Sequence, residues 1–395
     1  DPYRELVQRM AQAWEGMVKK TPALKAKRPK PVEPLALTLD LEGLLPPMGG
    51  GAEPLAVPLG INDLDREPTM IEFGAKGPNW IVVGPPVSGK TTTLRSLVLA
   101  LASCYPPERV AMILVDPSDA ARRFFNYGTG GDSSLDRLPH VLATVTNADE
   151  LDAAVRRLSA EYDDEVIKSL RGKTGFKPVD NAKRSIFVII DHYDDASILN
   201  RSGVGLAGLS VIGKGKNLHL VVAGSTDILR GSGDDFRRRV ESSRYTLVLQ
   251  DVEQVRYMGI RGDFSGYKDL PPGRGFLIKA VSAPLVQIAM PFVEGKGGLS
   301  GEEQLAQLIG SIRAKYKGRA VWSYTAGDLT PLGGAVVSVP EGAAAVPQTE
   351  SLAELEQLMA MQEKLMSEAV EIPEVTNLVA GKPRKKSGDK SKKKG

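Results

Sequence analysis

One short stretch of the chain, residues 80–93, constrains the fold more than any other because three local patterns meet in it. An apolar run at residues 81–83 indicates a buried strand. The run ends at Gly84, small residues follow it, and a helical pattern begins at Thr91. A strand, a glycine-rich turn and a helix in this order are typical of a loop that binds phosphate.

The glycine spacing of this stretch, Gly84-x4-Gly89-Lys90-Thr91, is that of a phosphate-binding loop. The two glycines allow backbone N–H groups to turn inward around a polyphosphate, and the positive end of the helix dipole favours the anion. Lys90 supplies a mobile charge for the β- and γ-phosphates, and Thr91 offers its hydroxyl to Mg²⁺. The predicted ATP-binding residues are Gly84, Pro85, Pro86, Val87, Ser88, Gly89, Lys90, Thr91 and Thr92.

Such a loop requires an acidic residue that directs Mg²⁺, and this acid commonly ends a neighbouring buried strand. The apolar residues 186–190 run directly into Asp191. The sequence therefore predicts Thr91 and Asp191 as the residues that hold Mg²⁺, with Asp191 also counted among the catalytic candidates.

The residue after this acid decides how water could be activated for hydrolysis. Many ATPases place Glu or Asp there, whereas this chain has His192, followed closely by Asp194 and Asp195. A neutral imidazole can accept a proton but carries no fixed negative charge. Three interpretations remain: His192 activates the water, one of the two aspartates does so, or ATP is bound and hydrolysed slowly. The predicted catalytic residues are Lys90, Asp191, His192 and Asp194.

Polar and basic residues near the next strand ends are candidates for sensing the γ-phosphate. Ser225 and Thr226 follow an apolar strand, where they could act as sensors or only cap the strand end. Arg244 and the run 237–239 could reach a neighbouring subunit's nucleotide, since arginine often acts in trans. The same arginines could equally form a solvated helix face.

Strands alternate with helices along the chain, which predicts an α/β fold with a mostly parallel sheet and helices on both faces. An amphipathic helix over residues 3–18 is expected to pack through its apolar face. The segment 285–290 is expected to be an edge strand. The other predicted strands are 70–73, 81–83, 110–115, 141–145, 185–190, 218–223, 245–249 and 275–278, and the main helices are 90–104 and 148–167.

Composition changes divide the chain into a central domain and several flanking segments. A Lys-rich tail and a stretch rich in Ala, Gly, Pro and Val are typical of disordered and linker sequence. The predicted organisation is an N-terminal helix and basic connector (1–30), the main domain (31–293), a helix (294–324), a linker (325–348), an amphipathic helix (349–371) and a disordered tail (372–395).

Charge and cysteine content exclude several classes of protein. The net charge of +3 combines +7 at residues 382–395 and +6 at residues 19–30, which leaves −10 for the rest of the chain. An acidic body disfavours DNA as the partner of the main domain. The single cysteine, Cys104, excludes a disulfide framework and a cysteine-based metal site. No apolar run reaches the ~18 residues of a membrane span.

The chain resembles the FtsK/SpoIIIE class of P-loop ATPases, and within it the ATPase modules of EccC, the motor of type VII secretion. The resemblance covers residues 31–293, and its most specific elements are Asp191-His-Tyr-Asp194 and Pro271-Pro-Gly-Arg-Gly275. Other shared stretches are Val57-Pro-Leu-Gly60-Ile-Asn, the phosphate loop, Leu114-Val-Asp-Pro117 and Leu218-His-Leu-Val-Val. The class pattern has an acid where this chain has His192, which puts hydrolysis in question.

The resemblance implies a RecA-like fold, assembly with other ATPase modules or subunits in a ring, and a secreted protein as substrate. It also implies a cytoplasmic position beside the membrane, reached through further sequence or partners. One alternative function is an FtsK-type translocase of double-stranded DNA. Another is an interaction module without turnover, whose Lys-rich tail contacts anionic lipid or nucleic acid.

Overall fold

The computed structural model divides the chain into two units, Asp1–Ser338 and Val339–Gly395, and all residues described here belong to the first. The predicted linker, amphipathic helix and tail after residue 324, most of the basic connector and the end of the predicted helix 148–167 lie outside the described residues. The described residues are 2–21, 34–51, 55–74, 79–119, 123–128, 131–163, 184–195, 205–212, 217–229, 235–262, 264, 266–267, 269–279, 282–320 and 322.

A single ten-stranded sheet forms the centre of the described domain, in the order β2-β1-β10-β9-β8-β3-β7-β6-β4-β5. The strands β3 to β8 pair in parallel, whereas the pairs involving β1, β2, β9 and β10 are antiparallel. The strands are β1 Leu55–Asn62, β2 Pro68–Phe73, β3 Trp80–Val83, β4 Val110–Val115, β5 Val141–Val145, β6 Ser185–Ile190, β7 Leu218–Gly224, β8 Tyr245–Leu249, β9 Arg274–Lys279 and β10 Leu285–Ile288.

Four of the α-helices of the described residues lie between parallel strands along the chain, and another follows the last of these strands, as the predicted alternation requires. They are α1 Pro2–Lys20, α2 Lys90–Cys104, α3 Ala148–Tyr162, α4 Gly205–Val211, α5 Asp235–Glu241, α6 Val252–Tyr257 and α7 Gly301–Lys315. The last helix begins with a capping box between Ser300 and Glu303, which satisfies backbone N–H groups at its first turn.

Side chains of the central strands alternate between two apolar clusters, one on each face of the sheet. In β3, Trp80 and Val82 belong to the cluster that also contains α2 and α7. Ile81 and Val83 belong to the cluster that contains α3, α4, α5 and α6. Alternation along a strand with helices over both sides is the doubly covered parallel sheet that the sequence predicts. The predicted fold class is confirmed.

The expected edge position of the segment 285–290 is wrong. Its strand, β10, lies between β1 and β9 and pairs antiparallel with both, for example Gly60↔Ile288 and Phe276↔Leu285. The hairpin of β1 and β2 comes before the phosphate-binding loop in the sequence. It pairs with β10 through β1 and so extends the sheet beyond β10. Long-range pairing of this kind is not visible in a local pattern of apolar residues.

The helix α1 forms as predicted, but none of its residues is buried. Tyr3, Val7 and Met10 on its apolar face are exposed. The expected packing of this face is therefore absent among the described residues. None of the described helices is both long and apolar enough to cross a membrane.

Two histidines are buried inside the domain, where their uncharged forms are favoured. His219 on β7 stacks on Phe187, with ring centroids 4.6 Å apart, and neither ring nitrogen has a hydrogen-bond partner among the described residues. Burial lowers the pKa of His219 to about 3. Burial also lowers the pKa of His140 to about 4, although its Nε2 contacts the Tyr105 carbonyl at 2.8 Å.

We expect the free energy of unfolding to fall with pH below about 6.5, the pKa of an unfolded histidine. Both groups bind protons in the unfolded chain before they do so in the folded one, so stability present above pH 6.5 is lost toward pH 4. Each site should contribute a slope of roughly 1.4 kcal/mol per pH unit in this window. Urea unfolding at several pH values should show a shallower slope for His219→Phe, and an unchanged slope would contradict the assignment.

Candidate nucleotide site

The carboxyl ends of the parallel strands bring the predicted site residues to one edge of the sheet. The phosphate-binding loop follows β3, and Asp116, Asp191 and Ser225 follow β4, β6 and β7. Because these four strands are hydrogen-bonded neighbours in parallel, their ends lie side by side. A ligand crevice outside the carboxyl ends of strands is the usual arrangement in open α/β sheets.

Two glycines hold the loop in a conformation that other residues would disturb. Gly89 has a φ of +102°, and a Cβ added there would lie 2.9 Å from the backbone nitrogen of Gly273. A Cβ on Gly84 would lie 2.6 Å from the Ser88 hydroxyl oxygen and 2.8 Å from the Leu249 carbonyl. The glycine spacing thus reflects close backbone approach as well as loop curvature.

Other residues of the loop have unusual features. Val87 has a φ of +63°, which is rare for a β-branched residue, and its side chain is 88% exposed at the tip of the loop. Ser88 is buried, and its hydroxyl has no hydrogen-bond partner among the described residues. Pro85 and Pro86 form the exposed side of the loop.

The Lys90 side chain folds back over the loop that precedes it. Its Nζ donates to the carbonyls of Gly84 at 2.8 Å and Pro85 at 2.9 Å. Burial lowers the pKa of Lys90, while the nearby carboxylates Asp191 and Asp194 act in the opposite direction. The ammonium group is therefore held at the concave side of the loop, where a phosphate would lie.

Thr91 and Asp191 meet although they are far apart in the sequence. The Thr91 hydroxyl donates to Oδ2 of Asp191 at 2.8 Å. Asp191 is buried, and burial together with the neighbouring carboxylate of Asp116 raises its pKa. A cation beside this carboxylate would favour its ionised form, and oxygen ligands are those that Mg²⁺ prefers. Thr91 and Asp191 therefore fit the predicted Mg²⁺ site.

Asp116, which the sequence argument did not assign, orients the His192 ring. Its Oδ1 lies 3.1 Å from Nδ1 of His192 and accepts the Ser118 N–H at 3.0 Å, and its Oδ2 accepts the Phe124 N–H at 2.7 Å. Burial alone would raise the pKa of Asp116, but these hydrogen bonds hold it below its ordinary value. An ionised carboxylate only accepts, so Nδ1 carries the proton, and in the neutral imidazole Nε2 then carries the lone pair.

Asp116, Asp191 and His192 form the one group of three His, Cys, Asp or Glu side chains in the described part of the chain that could hold a metal ion. Their ligand atoms lie within 4.8 Å of one another. His192 adopts a left-handed backbone conformation, with φ of +51°, as it leaves β6. Sequence reasoning could have found Asp116 from the same signal as Asp191, because it too ends a buried strand.

Asp194 is held by the candidate sensor Ser225. Its Oδ2 accepts the Ser225 N–H at 2.6 Å, and its Oδ1 accepts the Ser225 hydroxyl at 2.7 Å. Two hydrogen bonds to one residue make Asp194 a link between the ends of β6 and β7. The side chain of Asp195 lies outside the described residues, and Thr226 begins a short 3-10 helix beside Ser225.

The basic cluster lies away from the phosphate-binding loop. Arg244 is exposed immediately before β8, which runs parallel to β3, so it lies at the opposite edge of the sheet. Arg239 donates to the carbonyls of Leu209 and Ile212 at 2.5 and 2.6 Å, which gives it a structural role. An action of Arg244 on nucleotide would thus require a neighbouring subunit, and that role stays a prediction.

The chain matches a known family in the region that carries this geometry. Residues 52–186, which include the loop and Asp116, match the FtsK/SpoIIIE family model. Over these residues the chain is similar to FtsK/SpoIIIE-type P-loop ATPases. The resemblance inferred from the loop and the strand ends is confirmed.

The curated relatives that the chain matches include type VII secretion proteins. Over 225 residues it is 32% identical to the ESX-4 secretion system protein EccC4 of Mycobacterium tuberculosis, covering 50% of this chain and 17% of that relative. Over 266 residues it is 25% identical to the ESX secretion system protein EccC of Thermomonospora curvata, covering 61% and 19%. The chain thus spans about a fifth of the length of these relatives.

A solved structure supports the fold of the described domain. EssC (ATPases 2 and 3) from Geobacillus thermodenitrificans superposes with a TM-score of 0.54 at 18% identity, covering 73% of this chain and 54% of that one. This similarity shows that the two chains share a P-loop ATPase fold.

Asp116→Asn should lower the free energy of unfolding by roughly 1–3 kcal/mol, the cost of an unsatisfied buried group. Asparagine has one acceptor oxygen, so its NH₂ group would face a backbone N–H from which Asp116 now accepts a hydrogen bond, and two donors would then face each other. Asp119, exposed three residues later, offers a matched control, and Asp119→Asn should change stability by less than about 0.5 kcal/mol. Urea unfolding of both variants tests this, and equal effects would contradict it.

Proposed function

We propose that the domain is an ATP-binding module of a type VII secretion-like, EccC-like ATPase, and that it couples nucleotide state to protein translocation. One observation carries the proposal: the Thr91 hydroxyl and the Asp191 carboxylate meet at 2.8 Å beside Lys90 on an intact phosphate-binding loop. The similarity to EccC4 supports the assignment to secretion.

In this proposal the loop binds the polyphosphate of ATP. Backbone N–H groups between Gly84 and Thr91 surround the phosphates, and the Lys90 ammonium exchanges its two carbonyl acceptors for phosphate oxygens. Thr91 and Asp191 would hold Mg²⁺, which when bound would neutralise charge that develops on the phosphates. The hydrogen bond between Ser225 and Asp194 places a polar group at the adjacent strand end, where it could contact the γ-phosphate.

The geometry favours His192 over Asp194 as the residue that orients the attacking water. Asp194 is held by Ser225, whereas the His192 ring is 36% exposed and fixed by Asp116 through Nδ1. The lone pair on Nε2 can then accept a hydrogen bond from water. An imidazole without a fixed negative charge is a weaker activator than a carboxylate, so we expect slow hydrolysis.

The remaining parts of the proposal follow from the relatives. We propose that the domain assembles with other ATPase modules or subunits in a ring, with Arg244 presented to a neighbour. Its substrate would be a secreted protein, and it would act on the cytoplasmic side of a membrane through further sequence or partners. Support comes from the names of the curated relatives, which are components of secretion systems.

Lys90→Ala should abolish binding of Mg²⁺–ATP, because the variant loses the only side-chain ammonium that the described loop holds over its carbonyls. Lys279→Ala is a matched control, since Lys279 pairs with Tyr245 at the opposite edge of the sheet. Isothermal titration calorimetry with ATP and Mg²⁺ measures both. Undiminished binding by Lys90→Ala would overturn the proposal.

His192→Ala should lower ATP turnover by roughly a hundredfold, the lower end of the contribution that positioned proton-transfer groups make. Its affinity for ATP should change little, because His192 does not belong to the loop. Single-turnover hydrolysis and equilibrium binding separate the two effects. The companion variant His192→Glu places a carboxylate beside Asp116 and Asp191, and we expect like-charge repulsion to prevent any gain; a large gain would show that the natural residue restrains hydrolysis.

A further inference from the structure

The turn at Pro271–Gly275 touches the phosphate-binding loop directly. The Gly273 N–H donates to the Ser88 carbonyl at 2.8 Å. Gly273 has a φ of +74°, and its nitrogen is the atom that a Cβ on Gly89 would meet. No side chain separates the turn from the loop at this contact, so a shift of the turn must displace the loop.

Two side chains hold this turn from the other side. Gln287 on β10 is 2% exposed, and its Nε2 donates to the Pro272 carbonyl at 3.3 Å. Its Oε1 accepts from Nε of Arg274 at 2.9 Å, and the two residues face each other across β9 and β10. The Gly273 carbonyl accepts the Ile288 N–H at 2.8 Å. The turn is therefore fastened to β10 through both backbone and side chains.

Arg274 also binds a segment from the beginning of the domain. Its Nη2 donates to the carbonyls of Leu35 at 2.9 Å and Ala36 at 2.8 Å. Leu35 is 8% exposed and belongs to the apolar cluster of one face, whereas Leu37, two residues later, is 70% exposed. The segment is thus docked by one apolar side chain and by one guanidinium that binds its backbone.

We propose that Arg274 is a positioning residue for the phosphate-binding loop, and that docking of Leu35 and Ala36 on it raises the affinity of the loop for ATP. The connection runs from the Leu35 and Ala36 carbonyls through Arg274 to Gly273 and Ser88. A guanidinium is suited to this task, because its planar fork can hold several acceptors in fixed directions. The inference rests on the proposed ATP binding.

The coupling has a consequence for the upstream part of the chain. Residues 35 and 36 are joined covalently to everything before them, so a force or partner that lifts this segment would remove two acceptors from Arg274. The turn would then lose the contacts that Arg274 makes with residues 35 and 36, and the phosphate-binding loop would sample more conformations. Affinity for ATP is expected to fall, since the loop must be ordered again when it binds.

The test is equilibrium binding of N-methylanthraniloyl-ATP with Mg²⁺ to full-length variants. Arg274→Ala and Leu35→Asp should each raise the dissociation constant by roughly five- to tenfold, the lower end of ordinary coupling between sites. Leu37→Asp is the matched control, because it places the same charge two residues away on an exposed position, and it should change the constant by less than about twofold.

A double variant distinguishes the proposed connection from two unrelated defects. If both residues act through one contact, Leu35→Asp combined with Arg274→Ala should bind no more weakly than the weaker single variant. Full additivity would overturn the proposal, as would wild-type affinity in either single variant. Thermal unfolding of each protein, recorded in parallel, separates altered loop position from lost stability.

Arg274→Lys extends the test in case Arg274→Ala does not fold. Lysine keeps the charge but cannot hold Gln287 and two carbonyls in one plane, so an intermediate affinity is expected. Wild-type affinity in this variant would argue against positioning by the guanidinium. If the wild type itself fails to bind the probe, the proposed ATP binding is wrong. If the wild type binds the probe and Lys90→Ala does not, ATP binding stands. Normal binding by the Arg274 variants in that case would overturn only the positioning role of Arg274.

Discussion

The candidate site depends on the parallel pairing of β3, β4, β6 and β7, which places their carboxyl ends side by side. This pairing brings Thr91, Asp116, Asp191 and Ser225 to one edge, although they come from distant parts of the chain. It also places two buried carboxylates, Asp116 and Asp191, close to each other. Their burial away from water is the main electrostatic cost of the arrangement, and for Asp191 the nearby Asp116 carboxylate adds to it.

The two carboxylates differ in the hydrogen bonds that they accept and in the direction in which their pKa values are shifted. Asp116 accepts hydrogen bonds from Ser118, Phe124 and His192, which lower its pKa and fix the imidazole. Asp191 accepts from the Thr91 hydroxyl and the His192 N–H, and its pKa is raised. A bound cation would therefore stabilise the ionised form of Asp191 more than that of Asp116. Asp116 already accepts hydrogen bonds within the protein, and these contacts orient His192.

Much of the fold could be predicted because its signals are local. The strand–loop–helix at β3 and α2 and the buried strands β4 and β6 follow from apolar runs and glycine spacing alone. The interior position of β10 could not be predicted, because it depends on pairing with a hairpin more than two hundred residues earlier. The apolar face of α1 suggested packing, but periodicity does not say whether a partner surface exists within the described domain.

The amino-acid sequence by itself predicted the class of ligand, because Gly84, Gly89, Lys90 and Thr91 form a phosphate-binding pattern within one short stretch. Only the tertiary structure decided which acids meet that loop and what each contacts. In the tertiary structure Asp194 accepts hydrogen bonds from Ser225, and Asp116 contacts the His192 ring. The Gly273 N–H donates to the Ser88 carbonyl. The physical reason is that hydrogen bonds between strand ends and turns depend on which strands are neighbours, and that order is set by long-range pairing.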